Sequence, residues 1–294
     1  MTKKANAKIA IIGAGRLGTT LGFALARTGY IITAIADRNL LSAKETTLII
    51  GQGTATENNL RAAAEADVLF LTTPDEALKI CAVELSSSSI KWAGKIVLHC
   101  SGHHSSGILQ PLKEKGASTA SCHPIQSFAD KKPSGHEFQG IYFGLEGDGP
   151  ALDWAGETII RLGGKAFTLK KEDKTLYHTA CSLASNGLVA LLHASVSTAR
   201  IAGFDESEAL TIMMPLIQKT LQNVKKIGIE KALTGPVKRG DLETVKDHLS
   251  ALESFPDLQK TYRALAVQAL DIEKREISSK ENLLKSWKRL LEEK

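Results

Sequence analysis

Residues 8–18 read Lys8-Ile-Ala-Ile-Ile-Gly-Ala-Gly-Arg-Leu-Gly18, and this stretch decides the fold of the chain. The apolar run at residues 9–12 predicts a buried strand, and a helical pattern continues after the last glycine. The glycines have the G-x-G-x-x-G spacing. Gly13 permits a tight turn, Gly15 lets the backbone approach a pyrophosphate, and Gly18 lets helix and strand pack closely. The stretch therefore predicts the strand, turn and helix that open a dinucleotide-binding fold.

The helix after this turn is expected to bind the phosphates of the cofactor, because its unpaired N–H groups and positive dipole end point at them. We assign six residues of the turn to cofactor binding: Gly13, Ala14, Gly15, Arg16, Leu17 and Gly18. A glycine triplet alone is a weak signal. Here a strand precedes it, a helix follows it, and a second predicted strand at residues 30–36 leads into an acidic residue.

That acidic residue, Asp37, is predicted to lie where the adenosine ribose binds. A carboxylate there accepts hydrogen bonds from both ribose hydroxyls and repels a 2′-phosphate, which favours NAD. Arg38 follows directly and either pairs with that phosphate, which favours NADP, or stacks on the adenine. The two neighbours therefore leave the choice of cofactor open.

With 294 residues the chain is long for one domain, so two domains are expected. Strand and helix patterns alternate through the first half, which predicts a parallel, doubly wound Rossmann sheet of the α/β class. Near residue 169 the strand patterns end and helical periods take over. We predict a dinucleotide-binding domain at residues 1–168 and an all-α domain for substrate binding and dimerisation at residues 169–294.

Composition disfavours several classes of function. The formal net charge is +5 without a polybasic block, and aromatic residues make up 5% of the chain, which argues against nucleic-acid binding. The four cysteines form no C-x-x-C pair and indicate reduced thiols in the cytoplasm. The basic start runs into the first strand, so we expect no signal peptide. The uncharged residues 179–199 hold too many polar groups for a membrane span and predict a buried helix of a soluble protein.

In an open α/β sheet the ligand binds beyond the carboxyl ends of the strands. Thr72, Thr73 and Pro74 end one predicted strand and are expected to line the nicotinamide ribose, although a bare strand terminus explains them equally well. Ser101, followed by Gly102, ends the next strand. It offers a hydroxyl and a flexible backbone that hold substrate or a bridging water.

Three histidines surround this serine in sequence. His99 lies in the predicted strand, whereas His103 and His104 lie in the loop that follows. A metal site needs three or four converging ligands, and no other set of ligands is near in sequence. We therefore predict no metal site.

His123 is the titratable residue best placed for chemistry. It follows a predicted strand and precedes Pro124, which fixes the turn. Hydride transfer to or from a carbon that bears oxygen or nitrogen requires a partner for the matching proton, and a histidine with its ordinary pKa near 6.5 suits this role. A purely structural turn histidine is the alternative interpretation.

A helix predicted from about residue 174 to residue 201 carries a polar stripe on an otherwise apolar surface. Six side chains fall within an arc of roughly 120°: Lys174, His178, Ser182, Ser185, Asn186 and His193. Such a stripe faces a wet cleft, the polar groups of a partner, or solvent, and we favour the cleft. His178 and Asn186 are the candidates for orienting a substrate, ahead of Lys174, for which a surface position is sufficient explanation.

Five segments together resemble a bacterial family of candidate oxidoreductases in which a Rossmann-like domain precedes a helical domain of unknown function. They are the glycine turn, Leu-His-Cys-Ser-Gly (98–102), His-Pro-Ile-Gln-Ser-Phe-Ala-Asp (123–130), Tyr-His-Thr-Ala-Cys-Ser-Leu-Ala-Ser-Asn (177–186) and Leu-Thr-Gly-Pro-Val-Lys-Arg-Gly-Asp (233–241). This family is similar in architecture to 6-phosphogluconate dehydrogenase-like enzymes, namely ketopantoate reductases, pyrroline-5-carboxylate reductases and prephenate dehydrogenases. The resemblance implies a site for NADP or NAD, with NADP slightly favoured, and a homodimer formed through the helical domain.

The resemblance also implies residue roles. Prephenate dehydrogenases have a similar His-Pro segment whose histidine contacts the reacting hydroxyl, which matches His123. Ketopantoate reductases use a lysine and an asparagine on the first long helix of the second domain. Here that helix offers His178 and Asn186, with Lys174 one turn earlier, so the lysine matches incompletely.

These observations predict an NAD(P)-dependent oxidoreductase that transfers a hydride between nicotinamide and a small, anionic 2-oxo or 2-hydroxy acid. His123 would carry the proton, and Ser101, His178 and Asn186 would orient the substrate. An imine substrate of the pyrroline-5-carboxylate reductase type is the alternative within the same class. A non-catalytic NADP(H)-binding sensor or assembly protein, or a helical scaffold with a vestigial nucleotide fold, is the alternative from another class. We expect no nucleic-acid partner and no membrane partner.

Overall fold

The computed structural model describes residues 7–277 and 281–292, and its centre is an eight-stranded sheet. The strands are β1 (Lys8–Ile12), β2 (Ile31–Ala36), β3 (Thr54–Thr56), β4 (Val68–Leu71), β5 (Ile96–His99), β6 (Ser118–Pro124), β7 (Tyr142–Gly147) and β8 (Lys165–Thr168). The helices among them are α1 (Arg16–Arg27), α2 (Leu40–Ile50), α3 (Asn59–Ala64), α4 (Asp75–Ser86), α5 (Gln110–Glu114), α6 (Gly149–Arg161) and α7 (Lys174–Ser182). The predicted alternation of strands and helices is confirmed.

The strand order is β3-β2-β1-β4-β5-β6-β7-β8, and the first six strands in this order pair in parallel. The order reverses between β1 and β4, which is where ligands bind in such sheets. β7 differs from the prediction of a parallel sheet, because it pairs antiparallel with β6. The chain reaches β7 through an irregular connection at residues 125–141 and not through the helical crossover that parallel pairing requires.

Both faces of the sheet are covered by apolar side chains. Ile9 and Ile11 of β1 face one core, which is completed by residues of α1 and α6 such as Leu25. Ala10 and Ile12 face the opposite core, to which α3, α4 and α5 contribute. Because each buried aliphatic side chain stabilises the fold by about 1.5–3 kcal/mol, the apolar strands hold the sheet rigid and fix the positions of the turns at its edge.

The chain divides into two compact units, Met1–Ser185 and Asn186–Lys294. The helices of the second unit are α8 (Leu188–Ile201), α9 (Glu206–Ile227), α10 (Ile229–Ala232), α11 (Pro236–Arg239), α12 (Leu242–Ala251), α13 (Pro256–Ile277) and α14 (Glu281–Glu292). Val245, Leu249, Leu270 and Trp287 form the centre of its core. The predicted all-α character is confirmed, whereas the boundary between residues 168 and 169 stays a prediction.

The helix predicted from residue 174 to 201 is present as one helical segment, Lys171–Ile201. One turn of this segment, Leu183–Gly187, is π-helical and not α-helical. The prediction that it is buried is wrong for the isolated chain, since Ala199 is the one fully buried apolar residue of this helix and several others, including Leu183 and Val189, are exposed. In the described part of the chain it is the one helix that is long and apolar enough to cross a membrane, and its many polar residues make that a weak indication.

Candidate active site

The glycine turn between β1 and α1 is tightly packed. Gly13 has a φ of +112°, which favours glycine. A Cβ added to Gly18 would lie 1.9 Å from the carbonyl oxygen of Gly13, so only glycine fits there. Thr72 donates a hydrogen bond of 2.7 Å from its hydroxyl to the same carbonyl oxygen. Thr72 therefore fastens the turn to the end of β4.

The N-terminus of α1 is open. Among the described residues, no heavy atom outside the turn's own neighbours lies within 4 Å of a Cβ built on Gly15, and no side chain caps the helix there. Arg16 and Arg38 are exposed. Unpaired N–H groups at a helix N-terminus and nearby cations are the donors that a pyrophosphate requires. These residues fit a dinucleotide.

Asp37 lies at the end of β2, as predicted, and contacts the glycine turn. One carboxylate oxygen accepts a hydrogen bond of 2.7 Å from the N–H of Ala14, and the other accepts one of 2.9 Å from the N–H of Asn39. Asp37 therefore holds the turn in place. Its remaining lone pairs are compatible with ribose hydroxyls, so the geometry leaves the choice between NAD and NADP open.

Two further residues at the end of β4 line the same edge. The hydroxyl oxygen of Thr73 is buried and has no hydrogen-bond partner within residues 7–277 and 281–292. Pro74 precedes the first turn of α4 and ends the strand. Because a buried polar group without a partner costs free energy, Thr73 is a position where a ligand hydroxyl or amide group fits.

His123, His178 and Gly102 lie together. A Cβ added to Gly102 would lie 2.4 Å from Cδ2 of His178 and 2.8 Å from Nε2 of His123, so both rings press on this glycine. The ring centroids of His123 and His178 are 5.8 Å apart. Nδ1 of His123 is hydrogen-bonded at 2.7 Å to the hydroxyl of Tyr177. The structure thus brings two predicted catalytic residues together and leaves Nε2 of His123 as the ring nitrogen nearest Gly102.

The electrostatic surroundings of His123 keep its ring neutral. Burial, followed by the positive charge of Lys174 and then His178, lowers the pKa of His123 from 6.5 to about 4, against a smaller opposing effect of Asp75. Burial also raises the pKa of the Tyr177 hydroxyl, which therefore keeps its proton at neutral pH. The imidazole of His123 is therefore uncharged at pH 7.

Ser101 occupies the predicted position at the end of β5. Its N–H donates a hydrogen bond of 3.2 Å to Nδ1 of His99, and its hydroxyl oxygen accepts bonds from the N–H groups of His103 and His104 at 3.2 and 3.0 Å. The side chain of Ser101 therefore shapes its own turn. Among the described residues, no group of three or more His, Cys, Asp or Glu side chains is arranged to hold a metal ion.

The interpretation of Lys174 as a surface residue is wrong. Its side chain is 1% exposed, and its ammonium donates hydrogen bonds to the carbonyl oxygen of Ser101, at 3.0 Å, and to the hydroxyl of Ser121. Sequence reasoning also missed Glu146, which is buried and accepts bonds from the N–H and hydroxyl of Ser106 at 2.7 and 2.6 Å. The sequence signal that could have identified Glu146 is the presence of a charged residue within the otherwise apolar strand β7.

Asn186, the fourth predicted catalytic residue, belongs to the second compact unit. It lies in the π-helical turn and is exposed. Its assignment to substrate binding stays a prediction.

The cysteines differ in accessibility. Cys81, Cys100 and Cys122 are buried, whereas Cys181 on α7 is partly exposed. Burial raises the pKa of Cys122 to about 12 and raises that of Cys100 well above its ordinary value. Because the thiolate is the reactive form, the buried pair beside the site is unreactive.

Two family profiles match the sequence. The profile of a Rossmann-like domain matches residues 1–124, and the profile of a domain of unknown function, DUF2520, matches residues 141–269. No curated protein matches the sequence.

Solved structures are similar over most of the chain. Protein TM1727 from Thermotoga maritima is 30% identical, and the match covers 91% of this chain and 99% of that one with a TM-score of 0.70. BF3122 from Bacteroides fragilis, a candidate NADP oxidoreductase, is 20% identical over 91% and 99% of the two chains, with a TM-score of 0.75. A pyrroline-5-carboxylate reductase from Coxiella burnetii is 17% identical over 91% and 98%, with a TM-score of 0.57. At these low identities the latter two show the shared fold.

Proposed function

Because the chain belongs to the family in which a Rossmann-like domain is followed by the DUF2520 domain, we propose that it is an NADP(H)-dependent oxidoreductase acting on a small, anionic 2-oxo or 2-hydroxy acid. One observation carries the proposal. The glycine turn after β1 and His123 near the end of β6 lie at the same edge of the parallel strands, with β4 and β5 between them. At about 4.8 Å per strand, β1 and β6 are about 14 Å apart.

This spacing suits an extended dinucleotide. The N–H groups at the start of α1 would hold the pyrophosphate, Arg38 beyond β2 would pair with a 2′-phosphate, and Thr73 beyond β4 would bind the nicotinamide half. When bound, NADPH supplies the hydride. The choice of NADP over NAD rests on exposed Arg38 and on the family resemblance.

His123 would exchange the proton that accompanies hydride transfer. Tyr177 orients the ring through Nδ1, so Nε2 faces the Gly102 backbone and is the atom available to a substrate oxygen. When an alcohol is oxidised, the neutral ring accepts its proton at Nε2. In the direction of reduction, the protonated ring returns it.

The low pKa of His123 supports an anionic substrate. The positive charge of Lys174 disfavours protonation of the ring. A substrate carboxylate beside His123 and His178 would offset that charge and raise the pKa of His123 towards neutrality. The acid form needed for reduction would then arise only when substrate is bound.

An imine substrate remains the second candidate, and the same pKa favours it. A protonated imine brings its own proton and accepts a hydride without a general acid, so a histidine that is neutral at pH 7 suffices. The two candidates differ in their dependence on His123. Only the oxo acid requires the ring to donate a proton.

The test combines cofactor binding with a substrate panel. NADPH binding is measured by fluorescence titration, and NADPH oxidation is then followed with 2-oxo acids and cyclic imines, using wild type and His123→Gln. We expect turnover of a 2-oxo acid that falls by roughly 10²–10⁴-fold in His123→Gln while NADPH still binds. Turnover of imines alone, unaffected by His123→Gln, would select the second candidate. Tight NADPH binding without any oxidation would favour the non-catalytic sensor instead.

We also propose a homodimer formed through the second unit. Helices α8 and α9 expose Val189, Leu210, Ile212, Leu216 and Leu221, and a cavity of about 430 Å³ lies beside them between α8, α12 and α13. Monomeric proteins rarely leave an apolar surface of this kind uncovered. A second copy of the same helices would cover it.

We also propose that the protein is cytoplasmic, because its four cysteines are free thiols, which are typical of a reducing compartment.

Sedimentation velocity tests the dimer. Wild type is expected to sediment as a dimer, and Leu216→Glu, which places a charge on the exposed face of α9, is expected to shift it to monomer. Lys219→Glu on the same helix is the matched control. A wild type that stays monomeric at micromolar concentration would contradict this proposal.

A further inference from the structure

Lys174 carries a buried ammonium group that has no role in the proposed reaction. Its side chain is 1% exposed, although lysine is almost never fully buried unless it is paired. It donates to the Ser101 carbonyl at 3.0 Å and to the Ser121 hydroxyl. Ser101 follows β5 and directly precedes Gly102, whereas Ser121 lies in the neighbouring strand β6, two residues before His123.

The loop after β5 is fastened at both ends by buried charges. Near the start of the loop Lys174 binds the carbonyl oxygen of Ser101, and at its end Glu146 accepts hydrogen bonds from the N–H and the hydroxyl of Ser106. The negative charge of Glu146 favours the charged form of Lys174, against the effect of burial, which lowers its pKa. The two charges therefore fix the loop from opposite sides.

The position of this loop matters because the two histidine rings pack directly against the backbone of Gly102. A Cβ there would lie within 3 Å of both rings. A shift of the Ser101 carbonyl by a few tenths of an ångström would therefore move Gly102 against His123 or open a gap beneath it. A charge that holds this carbonyl also holds the distance between the rings.

We propose that Lys174 is a positioning residue. By binding the Ser101 carbonyl and the Ser121 hydroxyl together, it holds the Ser101–Gly102 turn against the rings of His123 and His178 and places a positive charge where it acts on the His123 ring. The consequence for turnover rests on the proposed function, whereas the effect on the histidine rings does not.

The charge acts on His123 among a defined set of neighbours. From α7 the ring meets Lys174, Tyr177 and His178, and β5 contributes His99. Asp75, in the first turn of α4, acts on the pKa of His123 in the opposite direction to Lys174 and His178. Removing Lys174 takes away the larger of the two charge effects that lower this pKa, so the ring becomes easier to protonate.

Two variants separate the hydrogen bonds from the charge. Lys174→Met removes the two hydrogen bonds of Lys174 together with its charge. Ser121→Ala removes the hydrogen bonds of the Ser121 hydroxyl with Lys174 and with the Ser101 carbonyl and keeps the charge. NMR titration of the His123 ring in the substrate-free protein is expected to show a pKa raised by about one unit or more in Lys174→Met and little changed in Ser121→Ala. With a 2-oxo acid that wild type reduces, kcat is expected to fall about 10-fold or more in Lys174→Met and only a few-fold in Ser121→Ala, with NADPH affinity unchanged in both.

Lys174→Arg guards against a variant that does not fold, because it keeps the charge and the donors. It is expected to keep a low His123 pKa and part of the turnover. If Lys174→Met folds, an unchanged pKa of His123 in this variant would overturn the proposal. If Lys174→Met does not fold, a His123 pKa near 6.5 in folded Lys174→Arg would overturn it. If wild type reduces no 2-oxo acid, the proposed function fails, while the titration still decides the role of Lys174.

Discussion

Nδ1 of His123 and the hydroxyl oxygen of Tyr177 lie 2.7 Å apart, although 54 residues separate them in sequence. The two rings also pack edge to face, with centroids 5.6 Å apart. This pair joins the end of β6 to α7 and fixes which ring nitrogen remains for a substrate.

Tyr177→Phe is expected to loosen the His123 ring without disturbing the fold. The loss of the hydroxyl leaves a partly buried ring nitrogen without its partner, which costs about 1–3 kcal/mol. We expect kcat to fall about 10-fold or more while the Kd for NADPH stays constant. Tyr142→Phe, at an exposed tyrosine of β7, is the control. Equal kinetics for the two variants would show that the hydrogen bond does not orient the ring.

Two glycine substitutions separate packing from cofactor binding. Gly18→Ala places a methyl group 1.9 Å from the Gly13 carbonyl, so we expect a loss of about 1–3 kcal/mol of stability together with weaker NADPH binding. Gly15→Ala meets no atom of the described residues, so we expect unchanged melting but a loss of binding, because the methyl enters the space for the pyrophosphate. Thermal melting and fluorescence titration measure both. Wild-type affinity in Gly15→Ala would place the pyrophosphate elsewhere.

Arg38→Ala tests the choice of cofactor. If Arg38 pairs with the 2′-phosphate, its loss removes a charged hydrogen bond of about 1.5–3 kcal/mol, which weakens NADPH about 10- to 100-fold and leaves NADH unchanged. Arg16→Ala is the matched control, since Arg16 begins α1, where the pyrophosphate that both cofactors share would bind. Equal weakening of NADH and NADPH by Arg38→Ala would remove this residue from 2′-phosphate recognition.

Stability is expected to fall between pH 6.5 and pH 4. Burial and Lys174 lower the pKa of His99 to about 3, and that of His123 is about 4. In the unfolded chain both titrate near 6.5, so below this pH the unfolded chain binds more protons and is favoured as the pH falls. At about 1.4 kcal/mol per pKa unit, buried His99 alone accounts for roughly 3 kcal/mol by pH 4.

Urea unfolding at several pH values checks this window. His99→Asn keeps an acceptor for the Ser101 N–H and is expected to flatten the loss of stability below pH 6.5. His136→Asn, at an exposed histidine, is expected to leave it unchanged. Parallel curves for wild type and His99→Asn would contradict a low pKa at His99.

The Rossmann sheet was predictable because glycine spacing and apolar runs are local signals. The G-x-G-x-x-G turn, the strand before it and Asp37 after β2 all lie where the pattern predicts. The antiparallel strand β7 was not predictable, because the direction of pairing depends on how the chain travels through residues 125–141 and not on the strand's own residues.

The site was predictable only in part. His123 and His178 meet at Gly102, directly after Ser101, because strand ends share one edge and a helix begins beside them. Lys174 was misjudged because a lysine at the start of a helix carries no local sign of burial. The predicted polar stripe assumes a uniform helical period. The π-helical turn at Leu183–Gly187 adds a residue to one turn, so the residues after it rotate away from those before it.

Because one of the four thiols is more exposed than the other three, a spectroscopic probe can be attached to it selectively, close to the site. An alkylating fluorophore or a trifluoromethyl tag will reach Cys181 long before the three sequestered sulfurs, without any engineering of the chain. Cys181 is one helical turn beyond Tyr177, so a label there would report in real time on whatever small molecule settles next to the histidine rings.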